Sequence, residues 1–260
     1  MIKLVATDMD GTLLDSKKRL PKDFYGWVLS HPEIKTVIAS GRQYFALERD
    51  FIPIKDKLIF MAENGGLCFE NDKVIYKNVM EKEAVRSAQR LVDQIPDACG
   101  ILCGVTKAYA RDTVNDTFKN MVSMFYEKLT YVTDVEKIIE EEEIVKLAIF
   151  IEGKAAVNYP KFDNVYPGVK SVLSGVDWID IQNDNTDKGT ALEAMFKMWG
   201  IKKEEAMAFG DYPNDKELLM AVEESYCMAN GHEDMKKLAK HLADTNDNDG
   251  VMKVLRTFDA

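Results

Sequence analysis

The fold class this chain predicts is α/β: a doubly wound parallel sheet carrying an inserted α+β segment. Three observations lead there. Apolar runs at 2–8, 35–40, 57–65 and 206–211 each end in polar residues and glycine, as strands buried on both faces of a parallel sheet do. Helical patterns separate those runs, which is the alternation a doubly wound sheet needs. From about 82 to 183 the texture changes to amphipathic stretches mixed with short strands, none of them ending in the polar-glycine signature.

Taken in order, "IKLVATD" (2–8) reads as the first buried strand, followed by a helical stretch near 21–30 and the strand "KTVIAS" (35–40). That strand runs into Ser40-Gly41-Arg42, and "KLIFMAENG" (57–65) repeats the arrangement. The inserted segment, 82–183, holds the helical patterns "EKEAVRSAQRLVDQI" and "NDTFKNMVSMFYEKL" and the strands "KLAIFIE", "VKSVLSG" and "VDWIDIQ". The acidic run Glu140–Glu143 within it reads as a solvated face or helix end. The sheet resumes after a helix over 188–199 with "AMAFGD" (206–211) and a fifth strand in "SYCMAN" (225–230). The catalytic core is thus expected over 1–81 and 184–260. In such sheets ligands lie beyond the carboxyl ends of the strands, where every polar cluster named above falls.

Composition narrows the function. With 46% hydrophobic residues over 260 positions the chain has ample core material, which excludes disorder. A net charge of −10 argues against a nucleic-acid partner. An anionic ligand would need local Lys, Arg, backbone amides or a metal. The four cysteines (Cys68, Cys99, Cys103, Cys227) match no zinc spacing and read as free thiols in a reducing cytosol. The N-terminal apolar run is too short for a signal peptide or a membrane span, so a cytoplasmic location and no membrane partner are expected. Asp244–Gly250 resembles a calcium loop, but its glycine comes one place late and Leu255 stands where Glu is required. His31, His232 and His241 form no metal pair, and the last two are expected on surface helices.

The chemistry sits at the strand ends. Residues i and i+2 of a strand point the same way, so Asp8 and Asp10 can converge, and two such carboxylates need a cation between them. A hard dication such as Mg²⁺ suits a few carboxylates plus a substrate phosphate. Gly11 permits a sharp turn, and the amides from Gly11 and Thr12 can face phosphate oxygens. The plainer reading is a strand-end turn capped by Asp and Thr. In "GDYPND" (210–215) Asp211 is placed to reach the same metal, while Asn214 and Asp215 begin a helix and can cap it. The Ser40 hydroxyl and the neighbouring Gly41 and Arg42 amides precede a helix expected near Arg42 and can hold an anion. Lys188 opens a helix, where its charge opposes the helix dipole, so a purely structural reading explains it poorly.

Four motifs in this order resemble the haloacid dehalogenase (HAD) superfamily, specifically its Cof-like branch of phosphatases with a large α/β cap: "DMDGT" (8–12), "ASGR" (39–42), Lys188 in "DKG", and "GDYPND" (210–215). The insertion lies between the second and third motifs as in that branch. "ENGG" (63–66) and "DNDGV" (247–251) also resemble its loops, so the similarity spans nearly the whole chain. Pro213 and Lys216 depart from the pattern only locally. The resemblance implies an HAD-like core, Asp8 as nucleophile and Asp10 as general acid and base. It places Ser40 and Lys188 on the transferring phosphoryl group, and Asp8, the Asp10 carbonyl and Asp211 on Mg²⁺. Asp215 falls at or just outside the metal shell, and Asn214 orders the phosphate side.

The expected function is therefore a Mg²⁺-dependent phosphatase acting on small phosphorylated metabolites, above all sugar phosphates, through an aspartyl-phosphate. The cap is expected to close over the site and set specificity. A phosphosugar mutase and a non-catalytic phosphometabolite-binding protein are the alternatives. Arg42 and Asn64 are the substrate-contact candidates at the core edge. In the cap, Lys107, Arg111 and Lys146 are cationic candidates that otherwise read as ordinary surface charges. The sequence does not specify an oligomeric state.

Overall fold

Hydrophobic alternation and strand-end punctuation organise the chain into two compact units, residues 1–76 with 187–260, and residues 77–186. The structure, a computed structural model, describes residues 1–123 and 125–259. The strands in chain order are β1 (Leu4–Asp8), β2 (Lys35–Ala39), β3 (Leu58–Ala62), β4 (Leu67–Glu70) and β5 (Lys73–Lys77). Then come β6 (Cys99–Gly104), β7 (Ala108–Arg111), β8 (Leu129–Val132), β9 (Ile144–Phe150), β10 (Val169–Leu173) and β11 (Trp178–Asn183). β12 (Ala206–Gly210), β13 (Glu224–Met228) and β14 (His241–Ala243) complete the set.

In the first unit the sheet runs β14-β13-β12-β1-β2-β3-β4-β5. Pairing is parallel from β14 through β3 and antiparallel between β3 and β4. Leu4, Ala6, Val37, Ala39, Ile59, Met61, Ala206 and Ala208 cover one face and pack against Ala191, Leu192 and Met195 of the helix Lys188–Trp199 and Leu218 and Leu219 of the helix Lys216–Met220. On the other face Phe60 meets Phe51 at 5.9 Å, and Phe51 meets Phe24 of the helix Phe24–Ser30 at 6.1 Å. Burial on both faces explains why the central strands are continuously apolar. This is the doubly wound α/β class read from the sequence. Register then fixes the site: Asp8 lies opposite Ala39 and Thr7 opposite Phe209, so Asp8, Ser40 and Asp211 emerge together at the carboxyl edge.

The second unit is a six-stranded sheet in the order β10-β11-β9-β6-β7-β8. The helices Lys82–Val92 and Val135–Glu141 bury Ala84, Val85, Ala88, Val92, Val135 and Ile139 on the face made by Leu102, Leu147, Ile149, Ile179 and Ile181. A hydrogen bond from Asn183 Nδ2 to Val79 O ties the two ends of the insertion together, and Met80 N donates to Ile144 O at the start of β9.

Several elements differ from the sequence reading. The helix expected over 115–129 is formed only at Asp116–Val122. Its last residue, Leu129, instead begins "LTYV" (129–132), a β-branched and aromatic run that joins β7 as a parallel edge strand. Position 124 of that expected helix lies outside the described residues. The hairpin β4–β5, the short edge strand β14 and the strands β6, β7 and β8 add to the strands expected. His232 caps the helix Glu233–Leu238, but His241 lies on β14 rather than on a helix. All four cysteines are buried and none forms a disulfide among the described residues. Among the described residues no helix is long and apolar enough to cross a membrane.

Two glycines test how tightly the first unit is packed. A Cβ on Gly189 would lie 2.4 Å from the Glu217 carbonyl oxygen, whereas one on exposed Gly26, inside the helix Phe24–Ser30, meets nothing within 4 Å. Gly189→Ala is expected to destabilise the protein by about 1–3 kcal/mol. Gly26→Ala is expected to stabilise it by about 0.5–1 kcal/mol by removing glycine's backbone entropy from a helix. Opposite shifts of the thermal unfolding midpoint in the two variants check this.

Candidate active site

The carboxyl edge of the parallel sheet is built around one buried ammonium. Lys188 has no exposed surface and donates from Nζ to Asp8 Oδ1 and to Asp215 Oδ1, both at 2.6 Å. It stands first in its helix because Asp187 caps it, accepting from Thr190 N at 2.7 Å on Oδ1. The preceding turn is wedged against the "ENG" loop. Gly65 has φ +91°, and a Cβ there would lie 2.3 Å from the Asp187 carbonyl oxygen, so only glycine fits.

Asp8, Asp211 and Asp215 each bring a carboxylate oxygen within 4.8 Å of the others. Their oxygens are not equivalent. Asp215 spends Oδ1 on Lys188 and uses Oδ2 to accept from Asp211 N at 3.0 Å and Tyr212 N at 3.2 Å. It therefore shapes the turn and holds the lysine. Asp8 Oδ2 and Asp211 Oδ2 accept no hydrogen bond among the described residues. Thr12 Oγ1 donates to the remaining Asp211 oxygen, Oδ1, at 2.9 Å. Gly11, at φ +88°, passes so close that a Cβ would come 2.4 Å from Asp211 Oδ2. Hard oxygen donors with two open positions suit a divalent cation such as Mg²⁺. Burial, with Asp215 beside it, pushes the Asp8 carboxyl well above the ordinary carboxylate range even though Lys188 opposes the shift. Burial likewise raises Asp211 to about 6. For Lys188 burial disfavours the charge, but Asp215 and Asp8 outweigh it and hold its value up.

Asp10 stands apart from this cluster. Its Oδ2 accepts from Arg42 Nε at 2.9 Å, and its Oδ1 accepts from Arg42 Nη2 at 2.6 Å and from Lys18 Nζ at 2.7 Å. Partial burial works to raise this carboxyl, but those bonds outweigh it and hold Asp10 below its usual value. The metal contribution expected of it from the motif is its carbonyl, not this carboxylate. Arg42 also reaches Asp50 Oδ2 at 3.4 Å.

Ser40, Gly41, Asn64 and Asn214 lie at the same edge of the first unit. Ser40 is buried, its Oγ accepts from Arg42 N at 3.2 Å, and its carbonyl accepts from Asn64 N at 3.0 Å. The helix expected from Arg42 begins only at Tyr44, because Gln43 is extended with ψ 143°, so the Ser40 region offers loop amides rather than a helix terminus. Gly41 brings its backbone against the Asn64 amide, where a Cβ would sit 3.0 Å from Asn64 Oδ1. Asn214 does not cap a helix; its Nδ2 donates to Asn64 Oδ1 at 3.3 Å. In the second unit Lys146 is a correction: it is buried on β9 with Asp180 Oδ2 at 3.6 Å, not an ordinary surface charge. Arg111 pairs with Asp93 at 2.9 Å, and Lys107 lies over the Tyr109 ring at 5.3 Å. Lys18 was not singled out from sequence, since "DSKKRL" gives no periodic or motif signal that one lysine turns back onto Asp10.

With that geometry in place, a profile of the haloacid dehalogenase-like hydrolase family matches residues 5–255. The chain belongs to this family. It is an HAD-type phosphoric monoester hydrolase, as the motif order implied. It is 29% identical over 261 residues to 5-amino-6-(5-phospho-D-ribitylamino)uracil phosphatase YbjI of Escherichia coli (strain K12), covering 98% of this chain and 95% of that protein. It is 25% identical over 260 residues to phosphoglycolate phosphatase of Thermoplasma volcanium, covering 99% of each. The crystal structure of SMU.1108c from Streptococcus mutans UA159 matches with a TM-score of 0.85 at 29% identity over 99% of both chains.

The perturbed carboxyls of this HAD hydrolase make a signed pH prediction. A carboxyl whose folded value is raised binds more protons in the folded than in the unfolded state, so stability falls as pH rises between the two values. For Asp211 that window runs from about 4 in the unfolded chain to about 6 in the fold, and Asp8 extends it upward. In EDTA the unfolding midpoint should therefore drop from pH 5 to 8, and Mg²⁺, by favouring the ionised carboxylates, should flatten the slope. A midpoint that climbs with pH in EDTA would contradict the assignment. Lys188→Met should cost the metal-free protein about 3–5 kcal/mol, since it leaves buried carboxylates uncompensated; denaturant unfolding measures it.

Proposed function

We propose that this enzyme is a Mg²⁺-dependent phosphatase of small phosphorylated metabolites that works through an aspartyl-phosphate on Asp8. The observation that carries the reading is the pairing of Lys188 with Asp8 Oδ1, which leaves Asp8 Oδ2 open in a cluster of carboxylates that includes Asp211. A carboxylate held on one oxygen and free on the other is oriented for attack, and its negative charge is partly neutralised for approach to an anionic phosphate. A divalent cation held by Asp8 and Asp211, with the Asp10 carbonyl, would neutralise phosphate charge, which is most of what phosphoryl transfer requires.

In the first step Asp8 attacks phosphorus, the bond to the leaving oxygen breaks, and that oxygen takes a proton from Asp10. In the second, Asp10 takes a proton from water as the water oxygen bonds to phosphorus, and the Asp8–phosphorus bond breaks to release inorganic phosphate. The pairing of Asp10 with Arg42 and Lys18 favours its ionised form, the form the second step uses. Donation in the first step requires that pairing to loosen. Ser40, the Gly11, Thr12 and Gly41 amides, and Asn64 with Asn214 are assigned to the phosphate oxygens.

A sugar-type phosphate is the substrate class we favour, because one relative is named for a phosphate carried on a ribityl chain. The relative named for phosphoglycolate, matched over the same length, keeps other small phosphate esters in the test panel. Phosphate release from p-nitrophenyl phosphate and from a panel of phosphorylated metabolites tests the proposal. Release should require Mg²⁺, stop in EDTA, and fall by about 10³-fold or more in Asp8→Asn. Transfer between sugar positions without phosphate release would favour a mutase, and binding without turnover across the panel would favour a non-catalytic binder.

A further inference from the structure

Lys18 lies in a loop fixed from several directions. The Asp15 carboxylate accepts from Lys17 N and Arg19 N, both at 2.9 Å, and from Arg19 Nε at 2.7 Å. Asp247 Oδ1 accepts from Ser16 N at 2.8 Å, and Asn246 Nδ2 donates to Leu14 O at 2.9 Å, so the C-terminal "DNDGV" region braces the loop. Lys18 adopts φ +61°. The left-handed conformation costs a side-chain-bearing residue about 1–2 kcal/mol. From there its ammonium reaches Asp10 Oδ1 at 2.7 Å.

Stability does not account for this contact. The Lys18 side chain is 62% exposed. An exposed pair contributes little once the entropy of holding a long lysine chain is counted. What the contact does achieve is geometric. Arg42 takes both Asp10 oxygens with a two-pronged fork from one side, and Lys18 takes Oδ1 from another. The fork fixes the carboxylate plane. Together they keep Asp10, only two residues from Asp8, out of the group of close oxygens formed by Asp8, Asp211 and Asp215.

We infer that Lys18 and Arg42 are positioning residues that act through Asp10, holding its carboxylate in one orientation beside the reaction centre. Arg42, expected from sequence to touch substrate, is thereby given a different task. The inference rests on the phosphatase reading with Asp10 as acid and base.

The test uses the full chain with saturating Mg²⁺ and p-nitrophenyl phosphate, whose good leaving group keeps Asp10 variants measurable. Lys18→Met and Arg42→Lys, the second keeping the charge but losing the fork, should each lower kcat about 10-fold or more, as a small misplacement of a reacting group does. KM should stay within about twofold, because an interaction made only in the transition state is lost. In an Asp10→Asn background neither change should lower kcat further, the non-additivity expected of residues acting as one unit. Lys18 is exposed, so its variant should unfold at the wild-type temperature. The inference is overturned if KM rises with kcat unchanged, if the losses multiply with that of Asp10→Asn, or if both variants match wild type. If the wild-type chain itself releases no phosphate, the phosphatase reading falls first and this inference with it.

Discussion

A lysine ammonium with no solvent exposure, held between Asp8 and Asp215, is the contact on which the rest of the catalytic edge depends. Removing a charge from water costs several kcal/mol even after relaxation, so such a group persists only where fixed partners surround it. Here the partners come from three separated stretches of chain. Lys188 begins a helix, Asp8 ends the first strand and Asp215 follows the strand β12. The sheet must bring all three ends together before any of them is tolerable in the interior. Parallel pairing of β1 with β12 does this, and a slip by one residue would turn Asp8 to the other face of the sheet.

The same edge is laced by contacts that have no catalytic assignment. Thr12 donates to Asp211 across 199 positions, Asn230 Nδ2 donates to the Gly11 carbonyl at 2.8 Å, and His232 N donates to the Asp211 carbonyl at 2.7 Å. Each satisfies a polar group that the tight approach of Gly11 to Asp211 would otherwise leave without a partner. Rigidity matters for a reaction that consists mostly of positioning and charge neutralisation. A first motif floating relative to the fourth would leave the open oxygens of Asp8 and Asp211 without a fixed separation.

Much of this edge was legible in the sequence because it follows from two strong local signals. Continuous apolar runs mark buried parallel strands, and polar residues with glycine at their ends mark where ligands sit. Lys188 was legible for the opposite reason: its charge is wrong for a helix start, so something outside the helix had to explain it. The misses have a common physical origin in long-range pairing. The helix expected to run to Leu129 stops at Val122, and Leu129 instead starts the edge strand β8, which pairs with β7. Lys146 carries a charge that reads as solvent-facing until Asp180 on the neighbouring strand is found beside it. Lys18 depends on a left-handed turn fixed by Asp15 and by Asp247, 231 positions beyond Ser16, and no window of sequence contains both ends of that bond.

Four aspartates share this edge, and their partners divide them into two electrostatic classes. Asp8, Asp211 and Asp215 have Lys188 as their common cation, which leaves the ionised group two positive charges short. That deficit equals the charge of one dication; burial, and after it the neighbouring carboxylate of Asp215, raises the Asp8 and Asp211 carboxyls toward their neutral forms. Asp10 is the reverse case, with two cations bonded to one carboxylate. Two residues apart in sequence, Asp8 and Asp10 therefore have opposite electrostatic demands. Asp8 shares its one cation, Lys188, with Asp215, while Asp10 has two cations of its own. A divalent ion taking part in the proposed reaction would supply charge to the first group and would add little at Asp10. In the proposed reaction this separation leaves one aspartate for bonding to phosphorus and another for moving protons, without a competition between them for the metal.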